Sequence, residues 1–129
     1  MRAIQWLIVA MVSLAGHASG ATPAPAVNAD PPPAPTAQQQ FDAATAAAVQ
    51  GHCTEALQTF EALAARPGIA RNAKVMAAIR ARSAGCLVTT GRFDEASNDA
   101  VNAMPLLNAD DPVDRANLAL AHLALGQVA

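Results

Sequence analysis

Apolar residues recur at the three- and four-residue spacing of an amphipathic helix from about residue 38 to the end of the sequence. Glycine and proline interrupt this pattern at short intervals. No stretch alternates β-branched with polar residues, as a strand would. The pattern predicts an all-α fold with five helices, at about residues 38–50, 54–65, 69–89, 94–104 and from Asp111 onward.

Local signals support the ends and buried faces of these predicted helices. Gly51 closes the first helix, and Pro67-Gly68 ends the second. Asp111 is expected to cap the fifth, with Pro112 at its first position and Asp114 in its first turn. The residues expected to be buried on the second, third and fourth helices are Ala56, Leu57, Phe60, Leu63 and Ala64; Met76, Ile79, Ser83, Cys86 and Leu87; and Ala96, Ala100 and Ala103.

The composition favours thin helices in close contact. Of 129 residues, 34 are alanine, whereas only three are Phe and one is Trp. Alanine favours helix and permits close approach, but each alanine buries little apolar surface. The length allows one modest domain. The net charge of −2, with few charged residues of either sign, argues against a nucleic-acid partner.

The first twenty residues have the layout of a secretory signal peptide. Arg2 precedes a short apolar run, and small residues follow it, which predicts cleavage between Gly20 and Ala21. The alternative is a retained membrane anchor, but the run is about half the ~20 residues that a spanning helix needs. We expect a chain exported to the periplasm or secreted, with no stable membrane insertion after cleavage.

Residues 21–40 carry six of the nine prolines and predict a disordered, extended tether. Pro32 and Pro35 have the PxxP spacing of a docking peptide. No basic residue flanks them, so a spacer is the preferred interpretation. The helical domain is accordingly expected over residues 41–129.

The chain repeats one short design forty residues apart, first from Gly51 and then from Gly91. Each copy has a turn glycine, a large or apolar residue two positions later, a Glu-Ala step and a later proline. These residues resemble the tetratricopeptide repeat (TPR), and the positions that match its signature are Gly51, Ala56, Phe60, Gly91, Phe93 and Ala96. Cys53 stands where the family has an aromatic residue, and the spacing exceeds the usual ~34 residues.

The resemblance implies a short α-solenoid of antiparallel helix pairs, about two and a half repeats long. In this family the first helix of each pair lines a concave groove. A TPR-like module binds a protein or peptide partner, and this is the function we expect.

Cys53 and Cys86 are the only cysteines. In an antiparallel hairpin that turns near Pro67-Gly68, the start of the second helix lies beside the end of the third. The two cysteines then lie within about one helical turn of each other. Export permits a disulfide between them, and the alternative is two buried free thiols.

Basic residues concentrate on the third predicted helix, where Arg71, Lys74 and Arg82 share one face. This face is a candidate for binding a peptide carboxylate or another anion. The alternative is a solvated face that pairs with nearby acidic residues.

The sequence contains no catalytic motif, and its histidines and cysteines lack the spacing of a metal site. We therefore expect no enzyme activity, no metal and no cofactor.

The fifth predicted helix has apolar residues on nearly every side, including Leu120 and Leu123. Such a helix is normally packed against other protein elements on more than one face. Two explanations remain open. The preferred one is that this surface is an interaction site, either for a partner helix or for a second copy in a structural homodimer. The other is truncation of a longer protein in which the repeats form an N-terminal regulatory arm.

Overall fold

The computed structural model describes residues 30–129, and residues 34–129 form one compact unit. The described part is all-α, as predicted, and contains no strand. Its α-helices are α1 (Ala37–Val49), α2 (Cys53–Ala64), α3 (Pro67–Ala70), α4 (Ala73–Thr89), α5 (Phe93–Ala103) and α6 (Pro112–Val128). The expected signal peptide and the first part of the tether lie outside the described residues.

The predicted tether is wrong at its C-terminal end, because residues 37–40 belong to α1. Thr36 starts the helix with a capping box: its hydroxyl accepts a hydrogen bond from the Gln39 backbone, and the Gln39 side chain accepts one from the Thr36 backbone. Pro35 is the last proline of the tether, and no residue from Thr36 to Gln40 opposes a helix. Residues 30–36 are exposed and have no regular secondary structure.

The same turn joins α1 to α2 and α4 to α5. Gly51 and Gly91 have φ of 86° and 78°, in the left-handed region that favours glycine. The next residues, His52 and Arg92, each donate a backbone hydrogen bond of 2.8 Å to the third-last residue of the preceding helix. This is a Schellman C-cap, present twice at equivalent positions. The short connections make each pair of helices antiparallel neighbours.

The long third helix predicted over 69–89 is wrong in its first part. Pro67 starts the four-residue helix α3, and the chain then becomes extended at Asn72. The Asn72 side chain accepts a hydrogen bond of 3.2 Å from the Val75 backbone and caps α4. A good capping residue inside an otherwise helical pattern therefore divides one predicted helix into two.

The predicted start of α6 is confirmed. Pro112 occupies its first position, and Asp111 caps it by accepting hydrogen bonds from the Val113 and Asp114 backbones at 2.8 and 3.0 Å. Asp114, in contrast, is buried, and its carboxylate accepts a 3.0 Å hydrogen bond from the Asn108 backbone. Asp114 therefore lies in the first turn of α6 and also holds the loop that precedes this helix.

The interior consists of two clusters on opposite sides of α4. The first contains the large side chains, with Phe60 at its centre in edge-to-face contact with Phe41 at 5.8 Å between ring centroids. The second joins α4, α5 and α6. Its buried residues are Leu107 and seven alanines: Ala77, Ala81, Ala84, Ala100, Ala103, Ala121 and Ala124. Val88, Met104, Leu118 and Leu125 are partly buried against them. The buried face expected for α4 omitted the alanines at 77, 81 and 84. Two residues expected to be buried, Ala64 on α2 and Met76 on α4, are only half-buried.

No helix within residues 30–129 has both the length and the apolar character needed to cross a bilayer.

Candidate functional site

Two hollows lie one after the other along one face of α4. The residues on it recur at intervals of three and four: Val75, Ala78, Ile79, Arg82, Gly85, Cys86 and Thr89. They therefore form a single stripe along the helix. Since α4 rises about 1.5 Å per residue, this stripe is about 21 Å long.

Helices α1 and α6 form the two walls on either side of this stripe. The residues of α1 that contribute also lie on one helical face, from Ala37 through Phe41 and Thr45 to Val49. Helix α6 contributes Val113 and Leu120. The N-terminal residues of the three helices share one end of the depression and later residues share the other, so the three helices run parallel. We call this depression the groove.

The groove contains two successive hollows. The N-terminal hollow has a volume of ≈ 380 Å³ and is lined mainly by apolar residues, including Phe41, Ile69 and Val113. The C-terminal hollow has a volume of ≈ 210 Å³ and surrounds Gly85, with Thr45, Arg82 and Leu120 among its lining residues. Arg82 is the charged residue among those that line either hollow.

The three residues of the predicted basic face do not lie on one helix, and they have different contacts. Arg71 is not on α4, because it caps the end of α3 and is exposed. Lys74 is exposed in the first turn of α4, and its Nζ lies 3.3 Å from the Asp114 carboxylate. Only Arg82, of the three, lines the groove. The sequence prediction continued one helix through Asn72 and did not include partners on α6.

Arg82 is held by a specific contact to α6. Its Nε donates a 2.8 Å hydrogen bond to Oδ1 of Asn117, which is 1% exposed. Within residues 30–129, no carboxylate lies within 4.0 Å of the Arg82 guanidinium. The Nε contact fixes the orientation of the planar guanidinium and leaves its terminal nitrogens for a ligand.

A disulfide joins Cys53 at the start of α2 to Cys86 near the end of α4, with a Cα–Cα distance of 4.9 Å. Both cysteines are buried, and both contribute to the floor of the C-terminal hollow. The bond thus connects the α1–α2 hairpin to the central helix directly beneath the groove.

The residues that match the repeat signature have structural rather than ligand-binding positions. Ala56, Phe60 and Ala96 are almost fully buried, and Gly51 and Gly91 form the two turns. Phe93 differs, because it is 52% exposed at the start of α5. Cys53, at the equivalent position of the first copy, is buried through its disulfide.

The two leucines singled out on the last helix differ in environment. Leu120 is half-buried and lines the C-terminal hollow, whereas Leu123 is 58% exposed. The helix is not apolar on every side, since the buried Asp114 and Asn117 lie on the face that contacts α4. The exposed apolar surface of α6 borders the groove.

Charged residues of α2 and α5 pair with Arg92, which lies just before α5. Arg92 contacts Glu95 and Glu61, and these carboxylates raise the pKa of the guanidinium. The hydrogen bond from Arg92 lowers the pKa of Glu95. Burial raises the pKa of the Asp99 carboxyl, and the charge of Arg80 opposes this shift. Within the described range, no group of three metal-ligating side chains comes together.

Sequence reasoning missed Gly85 as a residue of the groove and Asn117 as the buried residue that holds Arg82. Gly85 had a recognisable signal, because an isolated glycine inside a helical pattern costs stability relative to alanine and therefore calls for an explanation. Asn117 lies on an amphipathic helix, and its partner lies 35 residues earlier in the chain, so no local signal identifies the contact.

Comparisons with protein-family models, with curated proteins and with solved structures found no match for this chain.

Proposed function

We propose that this chain is an exported, TPR-like adaptor that binds a peptide segment of a partner protein in the groove. In this proposal α1 and α2 form the first repeat, α4 and α5 the second, and α6 the first helix of a third. The two identical glycine turns support this division into repeats.

The observation that carries the proposal is the position of the groove. It is formed by α1, α4 and α6, which are the first helices of the three proposed repeats. This is the surface that TPR-like proteins use for ligands. Its length of about 21 Å accommodates about six residues of an extended peptide at ~3.3 Å per residue.

Arg82 gives the groove a polar contact for the peptide. The neighbouring lining residues are apolar or small, so they contribute burial but little orientation. A guanidinium fixed by Asn117 donates directed hydrogen bonds to a carboxylate. Of the basic residues expected to bind an anion, Arg82 is therefore the one retained in the proposal, while Lys74 serves to attach α6 to α4.

Site-specific photocrosslinking in the cells that make the protein tests this proposal. The photoreactive residue p-benzoylphenylalanine replaces Val49, which is 83% exposed and lines the groove. Val101 is the matched control, because it is 54% exposed on α5, away from the groove. We expect a crosslinked partner protein from Val49 and none from Val101. Equal crosslinking at both positions would contradict a groove-specific partner.

The export part of the proposal has its own test. N-terminal sequencing of the protein recovered from its producing cells is expected to begin at Ala21. A chain that begins at Met1 in the cytoplasmic fraction would refute export.

The exposed apolar surface of α6 supports a second candidate function, a structural homodimer. Val113 and Leu123 are 64% and 58% exposed, and the half-buried Leu120 lies between them on the helix. Light scattering of the full chain across a dilution series tests this alternative. A dimer that becomes monomeric on Leu120→Glu/Leu123→Glu substitution would establish it, and a monomer at all concentrations would exclude it.

A further inference from the structure

Gly85 lies inside α4, four residues before the end of the helix, where glycine is unfavourable. The fold itself does not require it. Its φ is not in the left-handed region, and a Cβ built at this position meets no atom within 4 Å. Alanine at position 85 would therefore be expected to stabilise the free protein.

The missing side chain does have an effect on the groove. Gly85 forms part of the floor of the C-terminal hollow, so the absence of a Cβ deepens this hollow. The surrounding wall is largely apolar, with Ala48, Val49 and Leu120 on the two flanking helices. A hollow of ≈ 210 Å³ with such a wall favours a large apolar group over water.

The positive charge of Arg82, which lines the same hollow, indicates which residue should lie next to that apolar group in the ligand. Its guanidinium has no carboxylate within 4.0 Å in the described part of the chain, and its Nε contact to Asn117 fixes its direction. A ligand that seats an apolar side chain over Gly85 brings its adjacent residues beside these nitrogens. Charge complementarity favours an acidic residue there.

We propose that the hollow over Gly85 is the specificity subsite of the groove, and that it receives a bulky apolar side chain (Phe, Trp, Leu or Met) of a partner peptide whose neighbouring residue is Asp or Glu. This inference rests on the proposed function. The chain's own proline-rich segment is not suited to the subsite, because residues 21–36 contain no Phe, Trp, Leu or Met.

Selection from a random dodecapeptide library displayed on phage tests this proposal, with the full chain as bait. Peptides enriched on the wild type are expected to share one bulky apolar position next to an acidic one. On the Gly85→Ala variant they should bind about tenfold more weakly or worse, because the added methyl group occupies the hollow. The same variant should unfold at a Tm a few degrees higher, since alanine favours helix.

Gly126→Ala is the matched control. Gly126 also lies in a helix, a Cβ there meets no atom within 4 Å, and it does not line the groove. Peptide affinity should not change in this variant. Arg82→Gln should remove the preference for an acidic neighbour while the preference for the bulky residue remains.

The possible failures are distinguishable. Peptides that bind wild type and Gly85→Ala equally, or that carry only small residues, would overturn the subsite and leave the adaptor function standing. Failure to enrich any peptide would overturn both. A dimer that Gly85→Ala dissociates, with no peptide enriched, would place a second copy in the groove and overturn the proposal of a partner peptide.

Discussion

Reduction of the Cys53–Cys86 disulfide is expected to remove a large part of the stability of this domain. The bond closes a loop with a sequence separation of 33 residues. In the chain-entropy model, a crosslink that closes a loop of this length lowers the entropy of the unfolded chain and so destabilises the unfolded state by about 3.7 kcal/mol. A compact unit the size of residues 34–129 has a free energy of unfolding of about 5–14 kcal/mol in total. The crosslink therefore contributes between about a quarter and three-quarters of it.

Urea unfolding followed by circular dichroism at 222 nm measures this contribution. The oxidised wild type is compared with the same chain in dithiothreitol, so that every atom of the two side chains except the bond is retained. At an m-value of about 1–3 kcal/mol/M, the midpoint should fall by about 1–4 M urea.

The Cys53→Ala/Cys86→Ala variant is the control, because the chain has no other cysteine on which the reductant can act. Its unfolding curve should be the same with and without dithiothreitol. A difference between oxidised and reduced wild type of less than about 1 kcal/mol would refute the entropic argument. It would show instead that the helices restrict the two ends of this loop without the bond.

Three further predictions concern the core, the attachment of α6 and the pH dependence of its cap. Phe60→Ala should lower the free energy of unfolding, measured in urea, by about 3–5 kcal/mol, because the ring is only 1% exposed. Phe93→Ala, at a site that is 52% exposed, should lower it by less than about 1 kcal/mol. Equal losses would contradict the assigned core. Asp114→Ala should lower the free energy of unfolding by about 1–3 kcal/mol, because it leaves the backbone N–H of Asn108 without its partner. Lys74, whose side chain is 64% exposed, forms an ion pair with Asp114, and Lys74→Ala should lower the free energy of unfolding by less than about 1 kcal/mol. Hydrogen bonds from the Asp114 and Val113 backbones lower the pKa of Asp111 below its ordinary value of 3.8. The stabilisation from this carboxylate is therefore present above pH 3.8 and lost as the pH falls through the lower folded pKa; Asp111→Asn should reduce the acid-induced loss of stability, and an unchanged pH profile would count against the cap.

The helices and their turns could be predicted because their signals are local. Gly51, Gly91 and Pro112 act on their immediate neighbours, and each has the conformational role that its chemistry indicates. The break at Asn72 was missed because the apolar spacing continues on both sides of it. A capping residue competes with periodicity there, and periodicity alone does not show which of the two prevails.

The candidate site was less predictable because it depends on contacts between distant segments. Arg82 and Asn117 are 35 residues apart, and Lys74 and Asp114 are 40 apart. The sequence alone therefore assigned Lys74 to an anion-binding face, although it pairs with α6. The alanine cluster between α4, α5 and α6 was missed in part for a related reason. In a chain with so many alanines, periodicity does not distinguish a buried alanine from an exposed one.

The central claim is that the groove along α4 is a binding surface for a peptide. Amide chemical-shift mapping of the full, isotope-labelled chain tests it most directly, with the tightest peptide from the library selection as the probe. The account predicts that the shifted amides lie on the groove faces of α1, α4 and α6, with Gly85 among those that shift most. Shifts confined to α2 and α5, or to the α6 surface around Leu123, would contradict it.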